Sequence, residues 1–184
     1  MSAYLFTSKR LGFRNWKEED KTPFYQMNCD KNVMKHFPGK LSREESDQLL
    51  ERLQNHFTTY QYTYFAVEEL AGNNLIGFIG LKNQDYHYQF TPFVDIGWRL
   101  SPEFWGKGYA TEGAKTCLDY AFHQLMLTEI YSVAVVRNKN SFRVMEKIGM
   151  RKIDTFIHPS MASDHPLQPC VCYKIENEST QPSL

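Results

Sequence analysis

The chain has 184 residues, of which 42% are hydrophobic and 15% aromatic, enough to bury a core and fold as a single domain, read here as 1–177 with a polar, frayed tail at 178–184. Its 21 Lys and Arg balance 21 Asp and Glu, so no net field is left to hold a polyanion and direct nucleic-acid binding is not expected. No apolar run approaches the roughly 20 residues that span a bilayer, and the opening MSAYLFTSKR lacks the charged and apolar parts of a secretory signal, which points to the cytoplasm and away from membranes.

In chain order, RLGFRNW (10–16) alternates apolar and polar, with Leu11 and Phe13 on one face, and predicts a short strand with a helix after it. LSREESDQLLERLQNHF (41–57) carries a capping box, Ser42 with Glu45, and apolar Leu49, Leu50, Leu53 and Phe57 at helical spacing. That face is expected to pack on a sheet. YTYFAVEEL and NLIGFIGLK flank the turn-forming AGNN (71–74) and predict an antiparallel hairpin. The aromatic run DYHYQFTPF (85–93) either shapes a substrate cleft or covers the sheet. FVDIGWRL (93–100) is a strand with Val94, Ile96, Trp98 and Leu100 on one face and Asp95, Gly97 and Arg99 on the other.

Ala110, Ala114, Cys117, Leu118, Ala121, Phe122 and Leu125 then repeat with helical period. EIYSVAVV (129–136) fits a buried strand, and NSFRVMEKIGM (140–150) a helix ended by Gly149. RKIDTFI and CVCYKI are closing strands joined by HPSMASDHPLQP. Cys29, Cys117, Cys170 and Cys172 form no C-x-x-C pair and have no histidines at zinc spacing, so no metal site is expected and the thiols are read as packing. His123 is read as an exposed helix residue. His158 and His165 sit in a proline-rich loop whose geometry accounts for them as well as catalysis does.

The stretch SPEFWGKGYATEGAK (101–115) puts Gly106, Gly108 and Ala110 at alternate positions just before a helix. A small-residue loop at a helix N-terminus presents unsatisfied backbone N–H groups to an anion, and phosphate is the obvious one; a tight turn that merely needs glycine also fits. It is not a P-loop, because Gly106 and Lys107 are followed by Gly108 rather than Ser or Thr, and Ser101 stands where the first glycine belongs. It is a poor dinucleotide fingerprint, because the third glycine would fall at Thr111.

FWGKGYATEG together with NKNSFRVMEKIGM, about thirty residues on, resembles the acetyl-CoA-binding core of the GNAT N-acetyltransferases, in the branch that includes the ribosomal-protein N-terminal acetyltransferases RimJ and RimL. The resemblance extends to RLGFRNWKEEDKTPFYQM, VMKHFPG and LIGFIGL. The family's pyrophosphate motif maps to Trp105, Gly108 and Ala110; its first position departs from the general Gln or Arg, although Trp is common in this branch. The resemblance implies a mixed α/β fold: one twisted, mostly antiparallel sheet flanked by helices, with acetyl-CoA in the splay between the strands at 93–100 and 129–136. It assigns acetyl-CoA to Trp98, Leu100, Trp105, Gly106, Lys107, Gly108, Tyr109, Ala110, Thr111, Asn138 and Arg143. Lys107, Arg137, Lys139 and Arg143 form a local basic patch that either meets the phosphates or is ordinary solvated charge. Asn138 and Ser141 match the family's N-x-x-S, where helix capping is an equally good and compatible reading.

The family's mechanism is direct attack of a neutral amine on the thioester, with no protein nucleophile and no metal. Asp95 occupies the place where members often carry Glu, and either withdraws the amine proton through water or, as a partly solvated carboxylate, only attracts the cation. Ser141 is the candidate proton donor to the departing thiolate, with Tyr109 second. The implied activity is acetyl transfer to a primary amine, a protein N-terminus first and a small amine, antibiotic or polyamine second, by a monomer or homodimer. A catalytically silent acyl-CoA-binding module is the alternative.

Overall fold

A computed structural model describes residues 4–161 and 165–177; the tail expected to fray at 178–184 lies outside them. β1 (Phe6–Thr7) and β2 (Leu11–Arg14) open the chain, followed by α1 (Lys21–Cys29) and α2 (Arg43–Tyr60). The hairpin β3 (Tyr64–Glu69) and β4 (Asn74–Gln84) leads to β5 (Phe93–Leu100), α3 (Tyr109–His123), β6 (Glu129–Val135), α4 (Lys139–Lys147), β7 (Arg151–Ile157) and β8 (Pro169–Glu176). The strands form one eight-stranded sheet in the order β1-β2-β3-β4-β5-β6-β8-β7. Neighbours are antiparallel except β5 and β6, which run parallel. This is the mixed, mostly antiparallel sheet that the resemblance implied.

Local chemistry explains the elements. Ser42 Oγ accepts the Glu45 N–H at 3.1 Å and the Glu45 carboxylate accepts the Ser42 N–H at 2.7 Å, a reciprocal cap worth about 1 kcal/mol at the start of α2. Period-two alternation sends Phe65, Val67, Ile79 and Ile96 to the face covered by Ala114, Cys117 and Ala121 of α3. The opposite face takes Ala66 and Phe78 against Trp16, Phe24, Leu50 and Leu53, under α1 and α2. Each fully buried Leu, Ile or Phe contributes about 1.5–3 kcal/mol.

The first strand is shorter than its alternation implied, because Trp16 leaves the sheet to pack on Phe24 and donates its indole N–H to the Tyr64 carbonyl at 2.7 Å. β1 was not anticipated; it is two residues long, held by Phe6 stacking on Phe13 and Tyr120 at 4.5 and 4.3 Å.

What positions the site is the seam between β5 and β6. β4 and β5 stay in register from Gly77–Leu100 to Gln84–Phe93, and β6 pairs with β8 along its whole length. β5 and β6 share one register pair, Asp95 with Tyr131. Just past it the buried Ser132 hydroxyl donates to the Ile96 carbonyl at 2.8 Å. Beyond that bridge the strands diverge, leaving β5 backbone groups with no neighbour on that side, which in a buried place must be met by something.

Candidate active site

A cavity of about 840 Å³ opens in this split. One side is β5 from Asp95 to Leu100, and the other is β6 from Ser132 to Val135 together with Asn138 and Ser141. Gly106 and Gly108 to Thr111 close one end; Asn32, Val33, Lys35 to Pro38, Tyr64, Tyr86 and His158 line the other. Trp98, Leu100, Trp105, Tyr109 and Ala110 are also in the wall. Lys107 and Arg143 are not. The Lys107 ammonium lies 5.2 Å from the Phe104 ring centre, and Arg143 is exposed on α4. Arg143 follows Ser141 by two residues, a rotation of about 200° around the helix, so the two side chains leave on opposite faces.

Asp95 sits at the fork of the two strands and is 8% exposed. Tyr64 donates its hydroxyl to both carboxylate oxygens, at 2.8 and 2.9 Å, and accepts from the Gln84 amide at 3.4 Å. Tyr64 reaches that far because its path is cleared. Tyr64 aligns with Gly80 on β4 and Gly80 with Gly97 on β5, and a β-carbon on Gly97 would stand 3.1 Å from the Tyr64 ring. Burial pushes the Asp95 carboxyl up to about 6, against the lowering pull of the Tyr64 and Gln84 hydrogen bonds and of Lys82. Burial, and then the Asp95 charge, hold the Tyr64 hydroxyl well above 10, so the shared proton stays on the tyrosine. The partly solvated carboxylate allowed by the sequence is instead a buried one.

Two residues along the strand from Gly97, on the same face, Arg99 donates from Nη1 to the buried Asn28 Oδ1 at 2.7 Å. Its guanidinium lies over Phe37 and Phe78, 4.0 and 5.2 Å from the ring centres. The buried Nε has no hydrogen-bond partner among the described residues, which for a neutral donor would already cost roughly 1–3 kcal/mol. Burial pushes this guanidinium down to about 10, still cationic at neutral pH.

Asn138 caps α4, its side-chain oxygen accepting the Ser141 N–H at 3.3 Å. Ser141 therefore gives the cap its backbone, and its hydroxyl has no partner among the described residues. The Tyr109 hydroxyl is bonded to Glu69. The Trp105 indole N–H donates to the Leu100 carbonyl at 2.7 Å. His158 lines the cavity against Tyr86 at 4.5 Å; burial lowers its pKa. His165 Nδ1 accepts the Leu167 N–H at 3.2 Å. In the aromatic run at 85–93, Tyr86 lines the cavity, while Tyr88 stacks on Phe156 of β7 at 3.9 Å.

Residues 10–151 match the family model described as an acetyltransferase (GNAT) domain. The chain belongs to the GNAT acetyltransferases. It is 32% identical over 146 residues to an uncharacterized N-acetyltransferase, YnaD, of Bacillus subtilis (strain 168), covering 79% of this chain and 82% of that one. It is 29% identical over 142 residues to the spermidine N(1)-acetyltransferase of Vibrio cholerae, covering 77% and 79%. The crystal structure of a GNAT-family acetyltransferase from Bacillus anthracis is 27% identical, with a TM-score of 0.76 over 92% of this chain and 96% of that one. The family uses acetyl-CoA, and this GNAT protein is an N-acetyltransferase that acts on an amine.

The loop before α3 fits a pyrophosphate. Gly106 and Gly108 hold φ of 73° and 82°, the left-handed region that glycine adopts without penalty. A β-carbon on Gly106 would meet nothing within 4 Å, so a side chain there would project into open space. The first N–H to find a carbonyl one turn back is that of Glu112, on Gly108 at 3.0 Å; the preceding N–H groups of the helix are the ones free to face an anion. Sequence reasoning missed the brace behind this GNAT loop. Arg10 pairs with Glu112 at 2.6 Å, donates to the Lys107 carbonyl at 3.1 Å and covers the Tyr109 ring at 4.4 Å. It also missed Tyr64 and Ser132, because their roles depend on strand register rather than on spacing.

Proposed function

We propose that this enzyme acetylates the α-amine of a protein or peptide N-terminus in the cytoplasm, by direct attack within a ternary complex. The observation that carries the reading is the buried Asp95 under the Tyr64 hydroxyl, at the fork of a cleft whose far end is a glycine loop. Acetyl-CoA supplies the thioester. Trp98 and Leu100 on β5, Trp105, Gly106, Gly108, Tyr109, Ala110 and Thr111 around the loop, and Asn138 on α4 are its proposed contacts. Lys107 and Arg143, outside the wall, contribute long-range attraction at most.

Asp95 takes the amine proton, directly or through water. With a pKa of about 6 it is roughly 90% ionised at pH 7, and so available as a base. The value also selects among amines. Moving a proton to it from an α-amine of pKa about 8 is uphill by roughly 3 kcal/mol, but from a lysine-type amine of about 10.4 by roughly 6 kcal/mol. Tyr64 steadies the carboxylate, and the Ser141 hydroxyl protonates the leaving thiolate. The relative named for spermidine raises a polyamine acceptor. Against it, Asp95 is the only acid among the described residues lining the cavity, which also include Lys35, Arg99 and Lys147.

The test is coenzyme A release from acetyl-CoA with three acceptor sets: peptides with free N-termini, the same peptides Nα-blocked but carrying lysine, and spermidine. Among these three sets, the fastest turnover is expected with free N-termini. Faster turnover of spermidine or of blocked lysine peptides overturns the α-amine assignment.

A further inference from the structure

Among the described residues, the acceptor end of the cavity carries a cation without an anion. Arg99 comes from the same face of β5 as Asp95, so its side chain leaves the sheet on the Asp95 side of the strand. Its donors are unevenly used. Nη1 is spent on Asn28, the flat faces rest near Phe37 and Phe78, and nothing among the described residues accepts from the buried Nε. Nη2 makes no hydrogen bond with the described residues either, so the Nε–Nη2 edge is unpaired among them. That edge is a pair of parallel N–H donors, the geometry that a carboxylate grips with both oxygens. Aromatic rings can hold the face of a guanidinium, but they cannot accept from its edge. Its neighbours at this end, Lys35 and His36, are basic or neutral, and the one acid among the described residues of the wall, Asp95, is taken up by Tyr64.

Resting on the amine-acetyltransferase reading above, we propose that the acceptor carries a carboxylate, held by the Nε–Nη2 edge of Arg99 while its amine lies at Asp95. The two residues are four apart on β5, about 13 Å of strand, so the carboxylate is several bonds from the reacting nitrogen. An α-amino acid is too short. The chemistry is met by an acidic side chain near a peptide N-terminus or by a small ω-amino acid, and a polycation is rejected because it would bring like charge to Arg99.

Matched acceptors test this with the wild-type protein. The tripeptide amide Ala-Ala-Glu-NH2 is compared with Ala-Ala-Gln-NH2, and 6-aminohexanoate with 6-aminohexanamide, with spermidine as the polycation. In at least one pair the carboxylate should have a KM about tenfold lower at similar kcat, the effect of one charge-assisted double hydrogen bond. The pair that shows it identifies the source. Arg99→Gln should abolish the difference within that pair and Arg99→Lys should restore part of it. Equal KM values within both pairs, or a preference for spermidine, overturn the proposal, and neither outcome depends on a variant folding.

A binding measurement separates this proposal from the reading beneath it. The Arg99 Nε–H resonance is followed while hexanoate is titrated into the coenzyme A complex. A saturable shift with no turnover of any amine keeps the anion site and sinks the transferase assignment. Turnover of the acceptors with no shift and no carboxylate preference does the reverse. The absence of both turnover and shift overturns both.

Discussion

Replacing Asp95 by Asn tests the proton step and its cost to the fold in one variant. With the carboxyl at about 6, wild-type kcat/KM for an α-amine acceptor should rise through an acid limb near that pH and level off. In Asp95→Asn only acceptor that is already neutral reacts, and an amine of pKa about 8 is roughly 1% neutral at pH 6, 10% at pH 7 and 50% at pH 8. The deficit of the variant is then about fiftyfold at pH 6, tenfold at pH 7 and twofold at pH 8, and it vanishes near pH 10. Stability should move the other way. The folded state binds this proton more tightly than the unfolded chain does, because burial raises the pKa from 3.8 to about 6. The contribution of Asp95 is therefore most favourable below pH 3.8 and is lost as the pH rises to about 6, leaving up to about 3 kcal/mol of destabilisation at pH 7. Asn carries no such charge, so urea titration should find the variant more stable than the wild type at pH 7 and equal to it near pH 4. A kinetic deficit of the same size at every pH, or no pH-dependent gain in stability, would refute a buried base at this position.

Tyr64→Phe removes both hydrogen bonds that favour the ionised Asp95, so the acid limb of kcat/KM should climb by about one pH unit; an unmoved limb would place Tyr64 outside the proton step. Ser141→Ala leaves the Asn138 cap intact and should lower kcat by about a hundredfold without recovery at high pH. That defect should shrink for acyl donors whose leaving thiol is more acidic, and wild-type kcat would remove the hydroxyl from the mechanism. Gly106→Ala incurs about 1 kcal/mol of left-handed backbone strain but meets no protein atom within 4 Å. A small drop in melting temperature and a loss of acetyl-CoA affinity of about tenfold by calorimetry are expected; undiminished affinity would deny the loop a phosphate.

The parts of this fold that are local were legible in the chain. The Ser42–Glu45 box and the Ala110 to Ala121 repeat each lie within one helix, and period two sorted Asp95, Gly97 and Arg99 from Ile96 and Leu100 because a strand has only two faces. What escaped depends on alignment between elements. Tyr64 meets Asp95 across 31 residues of chain, through a Tyr64–Gly80–Gly97 alignment that no spacing rule reveals. Arg10 braces a loop about a hundred residues away. Two basic residues lie outside the cavity wall for a different reason. Lys107 and Arg143 lie next to motif residues in sequence, yet a turn and a helix point successive side chains in unlike directions, so closeness along the chain did not become closeness in the cleft.

Asp95 and Arg99 present a question that neither answers alone. A buried carboxylate and a buried guanidinium on one face of one strand would ordinarily be expected to pair, since an uncompensated buried charge costs several kcal/mol. They do not pair, because the Tyr64 ring lies over Gly97 between them and spends its hydroxyl on Asp95, while Asn28 and two aromatic rings hold Arg99. An ion pair would lower the Asp95 pKa and ruin it as a base, and would cover the open edge of Arg99. Keeping them apart leaves one group that seeks a proton and another that seeks an anion, about 13 Å apart along the strand. On the acceptor proposed above, a ligand that brings an ammonium to the first and a carboxylate to the second would regain the stability given up by both charges. On this argument Gly97 helps keep the two groups apart: a β-carbon there would stand 3.1 Å from the Tyr64 ring, so the ring would have to shift by a few tenths of an ångström and its hydrogen bonds to Asp95 would be the first to feel it.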